Sequence, residues 1–314
     1  MSLPSKRKIS LVTPCYNEQN GIQAFFRRIN EVFLPIADKY ELEVVAVNDG
    51  SRDQTYNELV KAKTDNSYLV IVDLSRNFGK EAAISAGLDF ATGDAVIPID
   101  SDLQHPPEVI LELIEKWESG AEVVLAKRVD RKTDRPIQKL TANYFYKLHN
   151  RISDIDIPAD VGDFRLMDRK VIEALKSLPE NCRFMKGLFA WVGFRTATVE
   201  YKVAPREHGT TSFNTWKLWN FALEGITSFS SAPLRVWTYL GCLVSALSFA
   251  FAVYLIVKTM FFGIGTPGYA SIMVTVLFAS GVQLIGIGVL GEYVGRIFAE
   301  SKKRPVYIVR DVIK

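Results

Sequence analysis

The strongest constraint on how this chain folds is a gap in its charge. Between Arg235 and Glu292 lie 56 residues with a single charged side chain, Lys258. The rest of the chain holds every other one of its 38 Lys+Arg and 35 Asp+Glu residues, a density ordinary for a water-soluble domain. A chain divided in this way is neither wholly soluble, nor disordered, nor a many-span transporter. Val236 to Val257 is 22 residues without a charge, about 33 Å as a helix and enough to cross a bilayer core. A turn rich in Gly and Pro follows, Gly263-Ile264-Gly265-Thr266-Pro267-Gly268. A second span of roughly 21–23 residues is expected from Tyr269 to Gly291. Arg235 flanks the first span, Arg296, Lys302, Lys303 and Arg304 flank the second, and the loop between them has only Lys258. Positive charge stays on the cytoplasmic side, so the reading is a hairpin with both ends in the cytoplasm and a short loop outside.

Two matches to Gly-x-Gly-x-x-Gly, Gly263 to Gly268 and Gly286 to Gly291, lie in this half. Neither follows a strand inside a βαβ unit, which a dinucleotide site requires, so both are read as membrane geometry. Gly291-Glu292-Tyr293-Val294-Gly295 would let helices approach closely, within the hairpin or between copies in a homo-oligomer, and alone it does not decide between them. Phe213 to Phe229 places Trp216, Trp219, Leu223 and Ile226 at helical spacing among polar residues. Next to the spans, that stripe reads as a helix lying along the membrane. A similar stripe from Ile137 to Ile152 fits either an interfacial or a core-facing helix. The resulting division is a soluble α/β domain over 1–211, an interfacial helix over 212–232, two transmembrane helices over 233–291 and a cytoplasmic tail over 292–314.

The soluble part excludes several classes. A net charge of +3 without a dense basic stripe gives no sign of nucleic-acid binding. Three cysteines, Cys15, Cys182 and Cys242, form no CxxC pair, which argues against a disulfide framework or zinc cage and fits a reducing compartment. Met1 to Ser10 carries Lys6, Arg7 and Lys8 with no apolar stretch ahead of the first strand. It does not read as a secretory signal, and a cytoplasmic domain is expected.

From Lys8 onwards short apolar runs alternate with helical ones. Strands are expected over Ile9–Thr13, Leu42–Asn48, Tyr68–Leu74, Ala95–Ile99 and Glu122–Lys127. Helices are expected over Gly21–Ala37, Thr55–Lys63, Lys80–Thr92 and Pro107–Ser119. Strict alternation predicts a mostly parallel sheet covered on both faces, and such sheets bind ligands beyond the carboxyl ends of their strands. Polar residues cluster there: Pro14-Cys15-Tyr16-Asn17-Glu18, Asn48-Asp49-Gly50-Ser51-Arg52-Asp53 and Asp100-Ser101-Asp102-Leu103-Gln104-His105-Pro106. Singly, each could be a turn, and Ser51 or Asp53 a helix cap; three in order point to a site. On extended chain, residues i and i+2 face the same way. Asp100 and Asp102 would therefore repel each other unless a cation lay between them, and oxygen ligands at a phosphate site suit Mg²⁺ or Mn²⁺.

These segments resemble the family 2 glycosyltransferases of GT-A fold. Leu74 to Gly87 and Gly162-Asp163-Phe164-Arg165-Leu166-Met167-Asp168 narrow the resemblance, together with the hairpin. The chain is similar to polyisoprenyl-phosphate glycosyltransferases, relatives of dolichyl-phosphate mannose synthase and above all the bacterial GtrB type, over about residues 8–300. The resemblance implies that Pro14, Tyr16, Glu18, Val47 and Asp49 hold the nucleoside, and that Asp100, Asp102 and Gln104, with Ser101 among them, carry the metal and diphosphate. It also implies phosphate contacts from Arg128 and from Arg206 with Gly209, a weaker one from Lys186, and an acceptor-side or base position for Asp163. The family loop often continues with Ser-Lys after that Gly, whereas Thr210-Thr211-Ser212 follows Gly209 here. The implied reaction is an inverting, metal-dependent transfer of a hexose from a nucleotide sugar to a polyprenyl phosphate at the cytoplasmic membrane face. UDP-glucose is the favoured donor and GDP-mannose its main competitor.

Three other readings compete. A processive polysaccharide synthase would carry Gln-x-x-Arg-Trp, which is not present. A dinucleotide oxidoreductase needs a Gly-rich turn where Pro14-Cys15-Tyr16 stands. A membrane scaffold with a degenerate nucleotide site would have no reason to keep the Asp100/Asp102 pair.

Overall fold

The computed structural model describes residues 6–129, 161–178, 180, 185–202 and 268–314, with scattered positions between 237 and 261. The stripes at 137–152 and 213–229 therefore lie outside the described residues, as do Arg206 and Gly209. The alternation expected from the sequence is present: β1 (Arg7–Cys15), α1 (Ile22–Phe33), β2 (Tyr40–Asn48), α2 (Thr55–Asp65), β3 (Leu69–Leu74), α3 (Lys80–Phe90), β4 (Ala95–Pro98), α4 (Val109–Glu118) and β5 (Val123–Arg128). Three helices are shorter than expected: α3 stops at Phe90, and in α1 and α4 proline stands at the changed end. Helix α1 stops at Phe33 and the chain tightens into a 3-10 turn over Leu34–Ile36, with Pro35 in its first turn. Helix α4 begins after Pro106 and Pro107, whose carbonyls accept the amides of Val109 and Ile110 at 3.1 and 3.0 Å.

Beyond β5 come β6 (Val161–Asp168), α5 (Arg169–Lys176), α6 (Met185–Trp191) and β7 (Thr196–Tyr201). With β8 (Val309–Ile313) they complete an eight-stranded sheet in the order β7-β5-β6-β4-β1-β2-β3-β8. The β1–β2, β1–β4, β2–β3 and β5–β7 pairs are parallel. Strand β6 runs antiparallel between β4 and β5, with Met167 opposite both Val96 and Val123. Its first residues consequently lie beside the carboxyl end of β4, which brings Asp163 to the Asp100 loop. Both faces of the sheet are buried. Along β1, Ile9 and Leu11 join α1 and α4 in one apolar cluster, while Val12 joins α3, α5 and α6 in the other. Side chains alternate across a strand, so a run apolar at successive positions is what a doubly covered strand needs.

The C-terminal helix runs over Tyr269–Ser301, 33 residues. It continues ten residues past Gly291, so Glu292, Arg296 and Glu300 lie on it. Its apolar side chains face outwards, Leu284 at 69% and Phe298 at 60% exposure, and it is long and apolar enough to cross a membrane. The described positions between 237 and 261 are helical too. A Cβ on Gly286 would lie 3.5 Å from the Trp237 ring, so the two helical stretches touch there. The end of the chain is tied down. Strand β8 pairs antiparallel with β3, Tyr307 donates to Asp89 Oδ2 at 2.7 Å, and Arg310 donates to the Ser75 carbonyl at 2.8 Å and reaches Asp73 at 3.3 Å.

Candidate active site

The first two loops at the carboxyl edge are stitched to each other. Asn17 takes a left-handed conformation (φ 57°). Its amide donates to Ser51 Oγ at 3.1 Å, and its side-chain oxygen accepts the Arg52 amide at 2.9 Å. The Glu18 amide donates to Thr55 Oγ1 at 2.8 Å, and Asp53 accepts the amides of Gln19 and Thr55. Ser51 and Asp53 thus hold the loop and the start of α2. Gly50 (φ +60°) has no room for a side chain: a Cβ there would lie 2.4 Å from Arg76 C and Asn77 N.

Asp49 is buried, and its carboxylate is engaged within the protein. Oδ1 accepts the Phe78 amide at 2.7 Å and Oδ2 the Gly79 amide at 2.9 Å. Burial raises its pKa, against the pull of those two amides. Gly79 (φ +99°) turns the chain into α3, whose first residue is Lys80. Asp49 therefore anchors the loop that presents Lys80 to the neighbouring strand end.

At that strand end Lys80 Nζ lies 2.7 Å from Asp100 Oδ1 and 2.8 Å from Oδ2, and 3.4 Å from Asp163 Oδ2. His105 Nε2 is 3.6 Å from Asp100 Oδ2, and its Nδ1 is 2.9 Å from the Tyr201 hydroxyl. Its ring packs on Phe164, with centroids 5.0 Å apart. Burial works against the Asp100 charge, but Lys80 and His105 outweigh it and hold the carboxyl well below the usual carboxylate range. Burial likewise opposes the Lys80 charge, and Asp100 and Asp163 together lift its pKa above the ordinary lysine value. Burial pushes Tyr201 up to about 12. Asp163 Oδ1 is buried and has no hydrogen-bond partner among the described residues. Arg165, two residues on, is buried; its guanidinium stacks 4.3 Å from the Phe189 ring and donates to the Gly162 carbonyl at 2.6 Å. Burial pulls it down to about 10.

The structure gathers some of the expected residues and separates others. Pro14, Asp100 and Asp163 line one small recess with His105 and Phe164. Asp102 is on the same loop, where its Oδ1 accepts the Gln104 amide at 3.1 Å; Ser101 is buried. Tyr16 is 42% exposed and available at the edge. Val47 is fully buried among Val12, Val45 and Val72, so its side chain belongs to the core and not to the site. Arg128 ends β5 opposite Tyr201. Lys186 lies in α6. Cys15 is no nucleophile: burial pushes its thiol up to about 12. Lys80, His105 and Tyr201 were not among the expected site residues. His105 lies in the same loop as Asp100, where the rule that located Asp100 points; Lys80 opens α3 and Tyr201 ends β7, and neither had such a signal.

No three His, Cys, Asp or Glu side chains among the described residues form a cluster ready to hold a metal. The donor set nevertheless fits a hard cation. Asp100, Asp102 and Gln104 supply oxygen only, and the unpartnered Asp163 oxygen leaves acceptor capacity in the same recess.

The described residues thus combine a doubly covered α/β sheet, carboxylates at its carboxyl edge and an exposed helix long and apolar enough to cross a membrane, and the comparisons with known proteins make the chain a glycosyltransferase. The pattern of glycosyl transferase family 2 matches residues 10–176 and that of the GtrB C-terminal hairpin residues 232–297. The chain belongs to glycosyl transferase family 2, with the GT-A fold and a hairpin of the GtrB type. The bactoprenol glucosyl transferase of Shigella phage SfV is 54% identical over 97% of this chain and 98% of its own. An uncharacterized glycosyltransferase of Synechocystis is 53% identical over 97% and 95%. The prophage bactoprenol glucosyl transferase homolog of Escherichia coli is 52% identical over 98% and 100%. Among solved structures, a mannosyltransferase from Pyrobaculum calidifontis in complex with GDP-Man and Mn²⁺ is 21% identical, covers 96% of this chain and 87% of that one, and has a TM-score of 0.49.

Proposed function

We propose that this enzyme transfers glucose from UDP-glucose to a polyprenyl phosphate at the cytoplasmic face of the membrane, with inversion at the anomeric carbon. One observation carries the reading. Asp100, at the end of β4, and Asp163, at the start of β6, share the Lys80 ammonium at 2.7 and 3.4 Å. They do so in a chain whose relatives include bactoprenol glucosyl transferases aligned over nearly its full length.

In the reaction a phosphate oxygen of the lipid bonds to the sugar's C1 as the bond from C1 to the nucleoside diphosphate breaks. A phosphate monoester, with a second pKa near 6, is already largely dianionic at neutral pH, so no strong base is needed to create the nucleophile. Asp163 then serves to position the acceptor or its counter-cation. Asp100 and Asp102, with Gln104, would hold a Mg²⁺ or Mn²⁺ ion, which when bound offsets the charge on the departing diphosphate. Tyr16, Glu18 and the Asp49 loop frame the nucleoside; Arg128, Arg206 and Lys186 are assigned to the phosphates. The hairpin keeps the site at the height of a headgroup whose tail stays in the bilayer, with both chain ends in the cytoplasm.

The test is to incubate the purified full-length protein with polyprenyl phosphate, Mg²⁺ or Mn²⁺ and a panel of labelled nucleotide sugars. Label from UDP-glucose is expected in the lipid fraction. Labelling from GDP-mannose alone would overturn the donor assignment, and label confined to water-soluble products would overturn the acceptor.

A further inference from the structure

Lys80 is the one cation among the described residues seen to touch both carboxylates of the recess, and nothing in the reaction as drawn above uses it. Its backbone is fixed. Asp49 clamps the amides of Phe78 and Gly79 just before it, and α3 begins with it. Its side chain is half-exposed, 47%, and four rotatable carbons separate the ammonium from the anchored main chain, so the ammonium can move while the backbone stays in place. Two carboxylates drawn to one point in a half-buried recess repel each other unless a positive charge sits between them. The ammonium meets that need only partly, since Asp163 Oδ1 stays without a partner among the described residues. A divalent ion held by Asp100, Asp102 and Gln104 would compete with the ammonium for the same Asp100 carboxylate.

We propose that Lys80 is an internal stand-in for the divalent ion. Its ammonium holds the notch between Asp100 and Asp163 while the ion is absent, and yields Asp100 when the ion binds. The inference rests on the metal-dependent transferase reading and adds a consequence to it. The ion must displace a resident cation, so the ion-free site keeps its shape and binds the ion more weakly than its ligands alone would allow.

The experiment uses full-length protein in detergent without nucleotide, with Mn²⁺ binding followed by the paramagnetic resonance of the free ion. Lys80→Met is expected to bind Mn²⁺ about tenfold more tightly than the wild type, because the competent state no longer has to be vacated first. Equal or weaker Mn²⁺ binding by a folded variant, with weakened binding of UDP, would make Lys80 a diphosphate ligand and overturn the proposal. A second measurement needs no variant. Acetylation of Lys80 in the wild type, read by mass spectrometry, is expected to speed up about threefold or more when Mn²⁺ is added, as the ammonium is released to solvent. Unchanged or slower acetylation would overturn the stand-in even if Lys80→Met failed to fold. A wild type that binds no Mn²⁺ with UDP present is a separate outcome: it would overturn the metal-dependent reading, and the stand-in along with it.

Discussion

The sheet and the C-terminal helix are built from the same aliphatic side chains and treat them in opposite ways. Leu11, in β1, is fully buried, whereas Leu284, in the C-terminal helix, is 69% exposed. In the sheet the apolar runs are short, about a strand in length, and helices lie over both faces. In the C-terminal helix the apolar run continues for several turns, and none of the described residues forms a layer over it. The difference teaches where each part finds its apolar medium: the sheet makes its own, and the helix requires one from outside, which is the bilayer. The candidate active site belongs to the first part.

The largest expected effect tests whether the edge of the sheet is the reacting centre. Asp100→Ala should lower glucosyl transfer to lipid by about 10³-fold, measured as labelled lipid product, while the protein still partitions into membranes. Retention of more than a tenth of the activity would separate the carboxylates from the chemistry. Next, Leu11→Ala should cost about 3 kcal/mol of domain stability, whereas Leu284→Ala should shift the same melting transition by less than about 0.5 kcal/mol. Equal shifts would erase the contrast between the two regions. Asp163→Asn should slow transfer by roughly 10–100-fold, less than Asp100→Ala, because the acceptor carries its own nucleophilic charge; a loss as large as that of Asp100→Ala would make Asp163 a true base. The smallest effect is expected from Arg310→Ala. It should lower stability by about 0.5–1 kcal/mol, since the arginine is 60% exposed and its contacts to Asp73 and Ser75 are partly screened.

Much of this was legible in the sequence, and the reasons are local. The strands β1 to β5 and their helices follow from short apolar runs separated by amphipathic ones, and the loops at their carboxyl ends from polar residues where those runs stop. Strand β6 was not legible as a strand. Arg165 interrupts its apolar pattern and is nonetheless buried, and only pairing with β4 and β5 reveals its direction. The role of Lys80 depends on Asp163, 83 positions later in the chain, a distance over which no spacing rule operates. Asp49 was expected among the residues that hold the nucleoside, and the pairing of its oxygens with the Phe78 and Gly79 amides had no signal in the sequence. The return of charge after Gly291 marked the end of the apolar run but not the end of the helix, which runs on to Ser301.

Deletion of residues 232–314 would be a direct way to remove the hairpin, and the end of the chain gives it a second consequence. Such a deletion removes β8 as well as the hairpin and leaves the β3 edge uncovered, so loss of lipid glycosylation would report on the domain as well as on the anchor. Strand β8 also sets an order of events at the ribosome. Residues 309–313 emerge after both apolar segments, so the backbone groups along Leu69–Leu74 wait for their partner until the hairpin has been translated. An uncovered strand edge is an open template for pairing with other chains. The β3 edge therefore stays open until Val309–Ile313 arrive and close it.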